Sequence, residues 1–247
     1  MAGTAVQRRL TWLVATVDNV TQETERTSTL TLLVPGWTGH RAGQHLELRL
    51  TAEDGYQASR EYSIASAPGE PLAITVERLD DGEVSPYLTL EARAGDQMEV
   101  RGPIGGWFVW EPGDGGPLML VAGGSGIAPL RSILRRRQLS GSAVPARLLY
   151  SARSPGDVIY SAELGQPADG LEVTLTLTRQ QPAGWAGRSG RVDAAMLGQT
   201  AWPAADGPLA FVCGPTSFVE TVAAGLTGLG YPPHRVKTER FGATGVP

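Results

Sequence analysis

Cysteine is almost absent from this chain, and that scarcity excludes several kinds of site. Cys213 is the single cysteine among 247 residues, so the chain cannot form an internal disulfide or supply the four thiolates of a plant-type iron–sulfur cluster. The three histidines, His40, His45 and His234, are scattered, and no HExxH or CxxC pattern occurs. We therefore expect no metal site.

Long apolar runs and a strong charge of either sign are also missing. No stretch approaches the ~20 apolar residues of a membrane helix, and segment 1–20 lacks the apolar core and cleavage site of a signal peptide. The formal net charge is -4, which offers no field for gathering nucleic acid. The composition predicts a cytoplasmic globular protein that binds neither membranes nor nucleic acid.

Basic residues cluster once, beside a predicted helix, at Arg131, Arg135, Arg136 and Arg137. Such a cluster is either a solvated helix face or a docking patch for an acidic redox partner. The sequence leaves both interpretations open.

Two different sequence patterns divide the chain into an N-terminal and a C-terminal part. Short runs rich in Val, Leu, Ile and Thr alternate with turn signals from about residue 10 to 109, which is typical of an antiparallel barrel or sandwich. One helix is expected there, with Ser85 as its N-cap and Pro86 at its first position. After a Gly- and Pro-rich segment, 111–117, apolar strands alternate with amphipathic helices, as in a parallel sheet covered on both faces. We predict two domains, 1–112 and 113–247.

The segment Arg60-Glu61-Tyr62-Ser63 carries the first sign of a cofactor. It falls on a predicted strand over residues 60–66, where alternate side chains share a face. A cation, an aromatic ring and a small hydroxyl suit a flavin. A flavin needs a hydrogen-bond donor to its phosphate, a flat surface against its ring and a hydrogen bond near its reactive nitrogen. An ordinary amphipathic strand explains these four residues nearly as well.

Two glycine-containing loops favour a nucleotide. Residues 123–129, GGSGIAP, stand between a predicted strand and helix, where the backbone and the helix N-terminus can approach a pyrophosphate. Pro129 replaces the third glycine of the dinucleotide pattern without removing a needed N–H. Cys213 precedes Gly214 and Pro215 at the end of another strand. It is either a residue on the side of the sheet where ligands bind or a small buried apolar group. Hydride transfer needs geometry there rather than a nucleophile.

In this order, these segments resemble the ferredoxin–NADP reductase superfamily of FAD-binding oxidoreductases over nearly the whole chain, in a two-domain form without an iron–sulfur domain. Residues 81–85, DGEVS, and 102–105, GPIG, add to the resemblance. It implies an N-terminal antiparallel six-stranded flavin-binding β-barrel and a C-terminal parallel doubly wound nicotinamide-binding domain.

The resemblance also implies the residues that contact FAD. Arg60 would contact the phosphates, Tyr62 would pack on the isoalloxazine, and Ser63 would bond near N5. Glu239 would be a nearby carboxylate, although a surface charge is equally ordinary. The expected FAD contacts are Arg60, Glu61, Tyr62, Ser63, Ile64, Gly82, Glu83, Val84, Ser85 and Phe241, the last near where plant-type reductases have a terminal aromatic over the flavin.

The nicotinamide contacts follow in the same way. Those implied are Gly123, Gly124, Ser125, Gly126, Ile127, Pro129, Ser151, Arg153, Arg179, Cys213, Gly214 and Pro215. The expected catalytic residues are Ser63, Cys213 and Glu239. A guanidinium at Arg153, rather than an acid, suits a 2′-phosphate, with Arg179 and Arg191 assisting. This favours NADPH, although relatives with similar residues include NADH users.

The implied activity is transfer of electrons from NAD(P)H to bound FAD and then to a separate ferredoxin or other redox protein. We expect a monomer. A reductase of small acceptors such as free flavin or ferric chelates, and a non-autonomous electron-transfer subunit, are alternatives. A barrel and nucleotide-binding module without flavin is a fourth. The choice of FAD over FMN comes from the resemblance alone.

Overall fold

A computed structural model describes residues 10–241 of the chain. The first sheet contains β1 (Leu13–Thr24), β2 (Thr27–Leu33), β3 (His45–Thr51), β4 (Gln57–Ser63), β5 (Leu72–Glu77) and β6 (Gln97–Ile104). The second contains β7 (Leu118–Gly123), β8 (Ala146–Ala152), β9 (Leu171–Leu177), β10 (Arg188–Ser189), β11 (Leu209–Pro215) and β12 (Val236–Phe241). The α-helices are α1 (Ile127–Leu139), α2 (Ser161–Leu164), α3 (Ala194–Thr200) and α4 (Thr216–Gly228). None of the helices in this part of the chain is long and apolar enough to cross a membrane.

The first sheet has the order β4-β3-β6-β1-β2-β5, and its strands pair antiparallel. A bridge between Ile64 and Ile74 joins the two edges just beyond β4. Inward-facing residues such as Leu30, Leu46 and Leu48 are fully buried, because the alternation of the sequence puts one face of each strand inside. The predicted six-stranded antiparallel barrel is confirmed.

Two local predictions in the barrel need correction. The strand predicted over residues 60–66 runs instead from Gln57 to Ser63. The helix predicted after Ser85 is present as a five-residue π-helix, Tyr87–Glu91, but its N-cap is Pro86 and no side chain caps it. The Ser85 hydroxyl accepts a hydrogen bond from the Leu79 N–H at 3.0 Å and closes the loop that follows β5. That bond uses the acceptor that an N-cap would need.

The second sheet is parallel, with the order β10-β9-β8-β7-β11-β12. Every residue of β7 is buried, because helices cover both faces of its apolar run. Leu118 and Leu120 pack with α1, whereas Met119 and Val121 pack with α3 and α4. The predicted doubly wound domain is confirmed. The strands β8, β9 and β10 lie on one side of β7, whereas β11 and β12 lie on its other side. The carboxyl ends of β7 and β11 therefore form a topological switch point, where ligands bind in such folds.

The arginines of α1 pair with groups of the same chain, so they are not the free solvated face considered from the sequence. Arg131 donates to Glu163 at 2.7 Å, and Arg136 to Glu111 at 3.0 Å. Arg135 forms an ion pair with Glu70 of the barrel. The fourth arginine, Arg137, is buried and donates to backbone carbonyls.

Further bonds tie α1 to the barrel. The Ser132 hydroxyl donates to the Ser66 carbonyl at 2.6 Å, and Arg131 donates to the Ala65 carbonyl at 3.2 Å. The first sheet ends at Ile104 and the second begins at Leu118, and the boundary predicted between 112 and 113 lies in that interval. These contacts join α1 of the second sheet to the loop that follows β4 in the barrel.

Candidate functional site

Arg60 and Glu83, from the two segments predicted to bind flavin, meet at the barrel surface. Arg60 Nη2 donates to Glu83 Oε2 at 3.1 Å, and the Tyr56 hydroxyl donates to Glu83 Oε1 at 2.7 Å. These bonds, that of Tyr56 first, lower the pKa of Glu83. The Arg60 side chain is about half exposed. A phosphate can therefore reach the guanidinium from solvent.

Tyr62 and Ser63 offer a flat ring and a free hydroxyl. Tyr62 packs against the barrel core, and burial raises the pKa of its hydroxyl, so the ring stays neutral. Ser63 lies opposite His45 in the β3–β4 register, and its hydroxyl makes no hydrogen bond to the described residues. Both features suit the predicted contacts with a flavin ring.

Three residues predicted to contact FAD have side chains that pack or bond within the protein. The side chains of Ile64 and Val84 lie inside the barrel core. The Ile64 N–H donates to the Gln44 carbonyl at 2.9 Å. The Ser85 hydroxyl is buried and closes its own loop. Their side chains therefore support the loop and strand, and a ligand would meet the backbone of this segment.

The glycines of the predicted nucleotide loop are required by close packing. Gly126 precedes α1, and a Cβ there would lie 2.2 Å from the Cys213 carbonyl oxygen. A Cβ on Gly123 or Gly214 would meet the Phe218 ring at 3.0 or 2.7 Å. A 3₁₀ turn, Gly124–Gly126, leads directly into α1, and the Ile127 N–H donates to the carbonyls of Gly124 and Ser125.

A cleft of about 420 Å³ opens beside this loop, between the two sheets. It is the size of a small-molecule site. Predicted residues that line it are Gly123, Gly124, Ser151, Arg153, Arg179, Arg191, Pro215 and Phe241. The other predicted nicotinamide contacts, Ser125, Gly126, Ile127, Pro129, Cys213 and Gly214, do not line it. Ile127 and Pro129 are buried in α1, and residues 213–215 are the end of β11 rather than a loop.

Three arginines in the cleft are exposed and stand without protein partners. Arg153, Arg179 and Arg191 make no side-chain hydrogen bond or ion pair within residues 10–241, whereas Arg26, also in the cleft, pairs with Asp80 at 2.9 Å. Asp157, a carboxylate in the same cleft, accepts a hydrogen bond from Ser154 at 2.5 Å. Free guanidinium groups in a cleft are suited to a phosphate.

Cys213 and Glu239 lie side by side on β11 and β12. Burial, and next the charge of Glu239, raises the pKa of the Cys213 thiol well above its usual value, so the thiol stays protonated and is a poor nucleophile. Burial raises the pKa of Glu239 to about 7. Its Oε2 is buried without a hydrogen-bond partner. The interpretation of Glu239 as an ordinary surface charge is therefore wrong.

Sequence reasoning missed His45. Its Nδ1 lies 3.6 Å from Glu239 Oε1, and its Nε2 lies 3.9 Å from Glu61 Oε1. Burial lowers the pKa of the His45 imidazole, although the negative charge of Glu61 acts in the opposite direction. No local signal marks His45, because its neighbours come from β4 and β12. Arg26 and Phe218, which line the cleft, were missed for the same reason.

We expect the variant Glu239→Gln to remove a pH dependence of stability. A folded-state pKa near 7 against 4.5 for an ordinary glutamate means that the protonated carboxyl stabilises the fold. That contribution is complete below about pH 4.5 and is lost as the pH rises through about 7. From pH 5 to pH 8 the wild type should lose about 2 to 3 kcal/mol that the variant keeps.

Urea denaturation of the cofactor-free protein at the two pH values measures this difference. The control is Glu53→Gln, because Glu53 is an exposed carboxylate in the turn between β3 and β4 and does not contact Glu239. This control should follow the wild type. Equal pH dependence in wild type and Glu239→Gln would contradict the burial of a titrating carboxyl.

Comparisons with known proteins agree with this two-part layout. A family model described as an oxidoreductase FAD-binding domain matches residues 14–109, and one described as an oxidoreductase NAD-binding domain matches residues 120–224. A protein named ferredoxin–NADP reductase B, from Sorangium cellulosum, is 36% identical over 213 residues, which are 81% of this chain and 84% of the relative.

Two further relatives are longer than this chain. The ferredoxin reductase component of a 3-ketosteroid-9-alpha-monooxygenase from Rhodococcus rhodochrous is 31% identical over 93% of this chain and 65% of its own length. The crystal structure of a cytochrome P450 reductase from Amycolatopsis superposes with a TM-score of 0.82 at 28% identity, over 96% of this chain and 73% of that one. The chain thus spans about two thirds of proteins that carry additional segments.

Proposed function

Because this chain belongs to the ferredoxin–NADP reductase superfamily, we propose that it takes electrons from NADPH through FAD and delivers them to a separate redox protein. It is an NAD(P)H-dependent FAD oxidoreductase. The observation that carries the proposal is the cleft that holds Phe241 and Pro215 together with three unpartnered arginines. The same cleft therefore offers an aromatic ring for stacking and guanidinium groups that can donate hydrogen bonds to a phosphate.

The residues of the site fit FAD. FAD supplies the ability to accept a hydride and to release its two electrons singly. Arg60 would hold the phosphates, Tyr62 would pack on the ring, and the free Ser63 hydroxyl would donate near the reactive nitrogen. Phe241, which lines the cleft, would offer a second aromatic surface to the ring. The Glu239 Oε2 atom is buried without a protein partner, and the protonated thiol of Cys213 lies beside Glu239 on the neighbouring strand.

The preference for NADPH rests on the arginines of the cleft. Arg153 and Arg179 follow β8 and β9, and the Arg179 N–H donates to the Arg153 carbonyl at 2.9 Å, so the two residues are neighbours. A planar guanidinium bonds two phosphate oxygens at once. A 2′-phosphate on the adenosine ribose would therefore be held by Arg153, with Arg179 and Arg191 beside it.

The variant Arg153→Ala is expected to raise the KM for NADPH about 10- to 100-fold, the equivalent of one charge-assisted hydrogen bond pair. The KM for NADH should change less than about twofold, because NADH lacks the phosphate. Steady-state kinetics with both nucleotides measure the effect. The control is Arg188→Ala, since Arg188 pairs with Gln199 outside the cleft. Equal effects on the two nucleotides would remove the 2′-phosphate argument.

The acceptor we propose is an iron–sulfur or other metal-centred protein. This is supported by two relatives, one named a ferredoxin–NADP reductase and the other the ferredoxin reductase component of a monooxygenase. Any iron–sulfur cluster would need thiolates from outside this sequence, which has one cysteine. A single-electron carrier suits FAD, which stores two electrons and releases them one at a time.

Kinetics with three kinds of acceptor test the function. With NADPH in excess, a [2Fe–2S] ferredoxin should be reduced with a saturable KM in the micromolar range, whereas free riboflavin and ferric citrate should not saturate. Low KM values for the small acceptors would make the chain a flavin or ferric reductase. A chain that binds FAD but reduces no acceptor without a partner subunit would be a non-autonomous electron-transfer subunit.

A further inference from the structure

We propose that Tyr160 is a positioning residue for hydride transfer, because its hydroxyl ties one wall of the nucleotide cleft to the barrel. The inference rests on the proposed function and goes beyond it. Tyr160 is buried and directly precedes α2 of the second domain. Its hydroxyl is hydrogen-bonded to the hydroxyl of Thr75, which lies on β5 of the barrel. This bond therefore crosses from one domain to the other.

A chain of hydroxyl groups continues the bond into the barrel. The Thr75 hydroxyl is hydrogen-bonded to that of Thr29 on β2 at 2.9 Å, and the Thr29 hydroxyl donates to Glu23 Oε1 at 2.8 Å. Each hydroxyl has one proton to donate. Since Thr29 gives its proton to the carboxylate, Thr75 donates to Thr29 and accepts from Tyr160. Burial raises the pKa of Tyr160 to about 12, so its hydroxyl keeps the proton that this direction requires.

The backbone of Tyr160 shows that its surroundings hold it in one conformation. Within residues 10–241 it is the one non-glycine residue with a positive φ, at φ 59° and ψ 30°. A bulky residue keeps such a strained conformation where neighbouring contacts fix it. The Arg131 guanidinium lies 4.7 Å from the centre of the Tyr160 ring, and the Ile159 N–H donates to the buried Tyr150 hydroxyl at 3.2 Å. With the Thr75 bond, these contacts fix the residue from three sides.

The threonines that receive Tyr160 stand beside the barrel wall of the cleft. Thr27 and Glu77 line that cleft. In the register of β2 and β5, Thr27 lies opposite Glu77, and Thr29 lies opposite Thr75. Residues two positions apart on a strand share a face. The face of the barrel that lines the cleft is therefore the face to which the Tyr160 hydroxyl is bonded.

The opposite wall of the cleft comes from the segment that Tyr160 ends. Arg153, Asp157 and Ile159 line the cleft shortly before Tyr160 in the chain. The proposed phosphate-binding arginines belong to the second domain, whereas the proposed flavin contacts belong to the barrel. The bond between Tyr160 and Thr75 therefore determines where a bound nucleotide meets the flavin, and not how tightly the nucleotide is held.

Hydride transfer depends steeply on this geometry. The reacting atoms must lie about 3 to 3.5 Å apart, and a misplacement of about 1 Å can lower the rate about 100-fold. The bonds of α1 to Ser66 and Glu70 keep the two domains joined when the Tyr160 hydroxyl is removed, and none of these residues lines the cleft. We therefore expect a local shift of the cleft walls rather than separation of the domains.

Rapid mixing of the FAD-loaded protein with NADPH, without oxygen, tests the positioning role in Tyr160→Phe. This variant loses the hydroxyl and keeps the buried ring. The limiting rate of flavin reduction should fall about 10-fold, whereas the Kd for NADPH should change less than about twofold. Thr75→Val removes the same bond from the barrel side and should give the same result. It decides the question if Tyr160→Phe does not fold.

The matched control is Tyr231→Phe. Tyr231 is also buried, and its hydroxyl donates to the Trp202 carbonyl at 2.8 Å, inside the second domain and away from the cleft. Each of the two variants loses one buried hydrogen bond, so their urea midpoints should fall by similar amounts. Tyr231→Phe should be reduced at the wild-type rate. Equal slowing in both variants would attribute the effect to lost stability and overturn the proposal.

A double-mutant cycle on the cofactor-free protein tests the bond without using activity. Urea denaturation gives the free energies of unfolding of Tyr160→Phe, Thr75→Val and the combined variant. Both substitutions break the same bond, so the combined variant should be destabilised less than the sum of the two single variants. Additive losses would contradict the bond on which the positioning role depends.

The reduction experiment also distinguishes this proposal from the proposed function. If NADPH reduces the wild type and Tyr160→Phe at the same limiting rate, the positioning role is overturned and the function stands. A Kd raised more than about fivefold at an unchanged limiting rate would make Tyr160 a support of the binding site, and would also overturn the role. A wild-type flavin that neither NADPH nor NADH reduces would overturn the proposed function, and the role of Tyr160 with it.

Discussion

The variant Arg60→Ala is expected to purify largely free of FAD, with a Kd for FAD raised roughly 30- to 150-fold. That range corresponds to about 2 to 3 kcal/mol, the loss of hydrogen bonds to a charged phosphate. The affinity for NADPH in the FAD-reconstituted variant should change less than about twofold, because Arg60 does not line the nicotinamide cleft.

The position of Arg60 explains the size of this effect. Its guanidinium is half exposed, and in the structure it bonds Glu83, which also accepts from Tyr56. A bound phosphate gives Arg60 a second anionic partner. Without the guanidinium, that phosphate would face the Glu83 carboxylate uncompensated, so the substitution adds repulsion to the lost bonds.

Flavin content after purification and isothermal titration with FAD measure the change. The matched control is Arg93→Ala, also on the barrel, since the exposed Arg93 side chain donates only to the carbonyls of Leu90 and Ala92. It should retain FAD like the wild type. An Arg60→Ala protein with full FAD content would refute the assignment of Arg60 to the phosphates.

The variant Gly126→Ala is expected to destabilise the second domain by about 3 kcal/mol or more and to abolish NADPH binding. The added Cβ would lie 2.2 Å from the Cys213 oxygen, 2.5 Å from its carbonyl carbon and 2.8 Å from the Gly214 nitrogen. These are backbone atoms, so no side-chain rotation relieves the contact. The loop at the end of β7 must move away from β11, and the cleft at the switch point opens.

Urea denaturation and NADPH titration of Gly126→Ala test this packing. Gly113→Ala is the matched control, because a Cβ on Gly113 meets nothing within 4 Å and no positive φ is required there. It should change stability by less than about 0.5 kcal/mol. A Gly126→Ala protein as stable as this control would show that the β7 and β11 ends pack more loosely than the structure has them.

The fold follows from patterns that are local in the sequence. Period-two alternation in the first part predicts half-buried antiparallel strands, and runs such as LMLVAG predict strands covered on both faces. The loop 123–129 is also local, since strand, glycines and helix are consecutive. Its position at the switch point follows once the sheet is parallel.

Several details of the site depend on contacts that no local pattern contains. His45, Glu61 and Glu239 meet only because β3, β4 and β12 converge, and the register of distant strands cannot be read from one sequence. The arginines of α1 resemble a free patch, but Glu70, Glu111 and Glu163 neutralise them from elsewhere in the chain.

The failed prediction for Ser85 shows the limit of local rules. Ser followed by Pro predicts an N-cap, yet a tertiary demand outweighs that preference: the N–H of Leu79 needs an acceptor in the loop after β5, and Ser85 supplies it. The side chains of Ile64 and Val84 furnish core positions of the barrel, so the backbone of these two motif segments is what remains for the predicted flavin contacts.

Anaerobic titration of the purified protein with NADPH, monitored by its visible spectrum, shows whether bound FAD accepts electrons from the nucleotide. We expect a yellow protein whose flavin, extracted and identified, is FAD, and whose absorption near 450 nm is bleached by about one equivalent of NADPH. Admission of an oxidised one-electron acceptor should restore the band. A protein that binds no flavin, or a bound flavin that neither NADPH nor NADH bleaches, would contradict it.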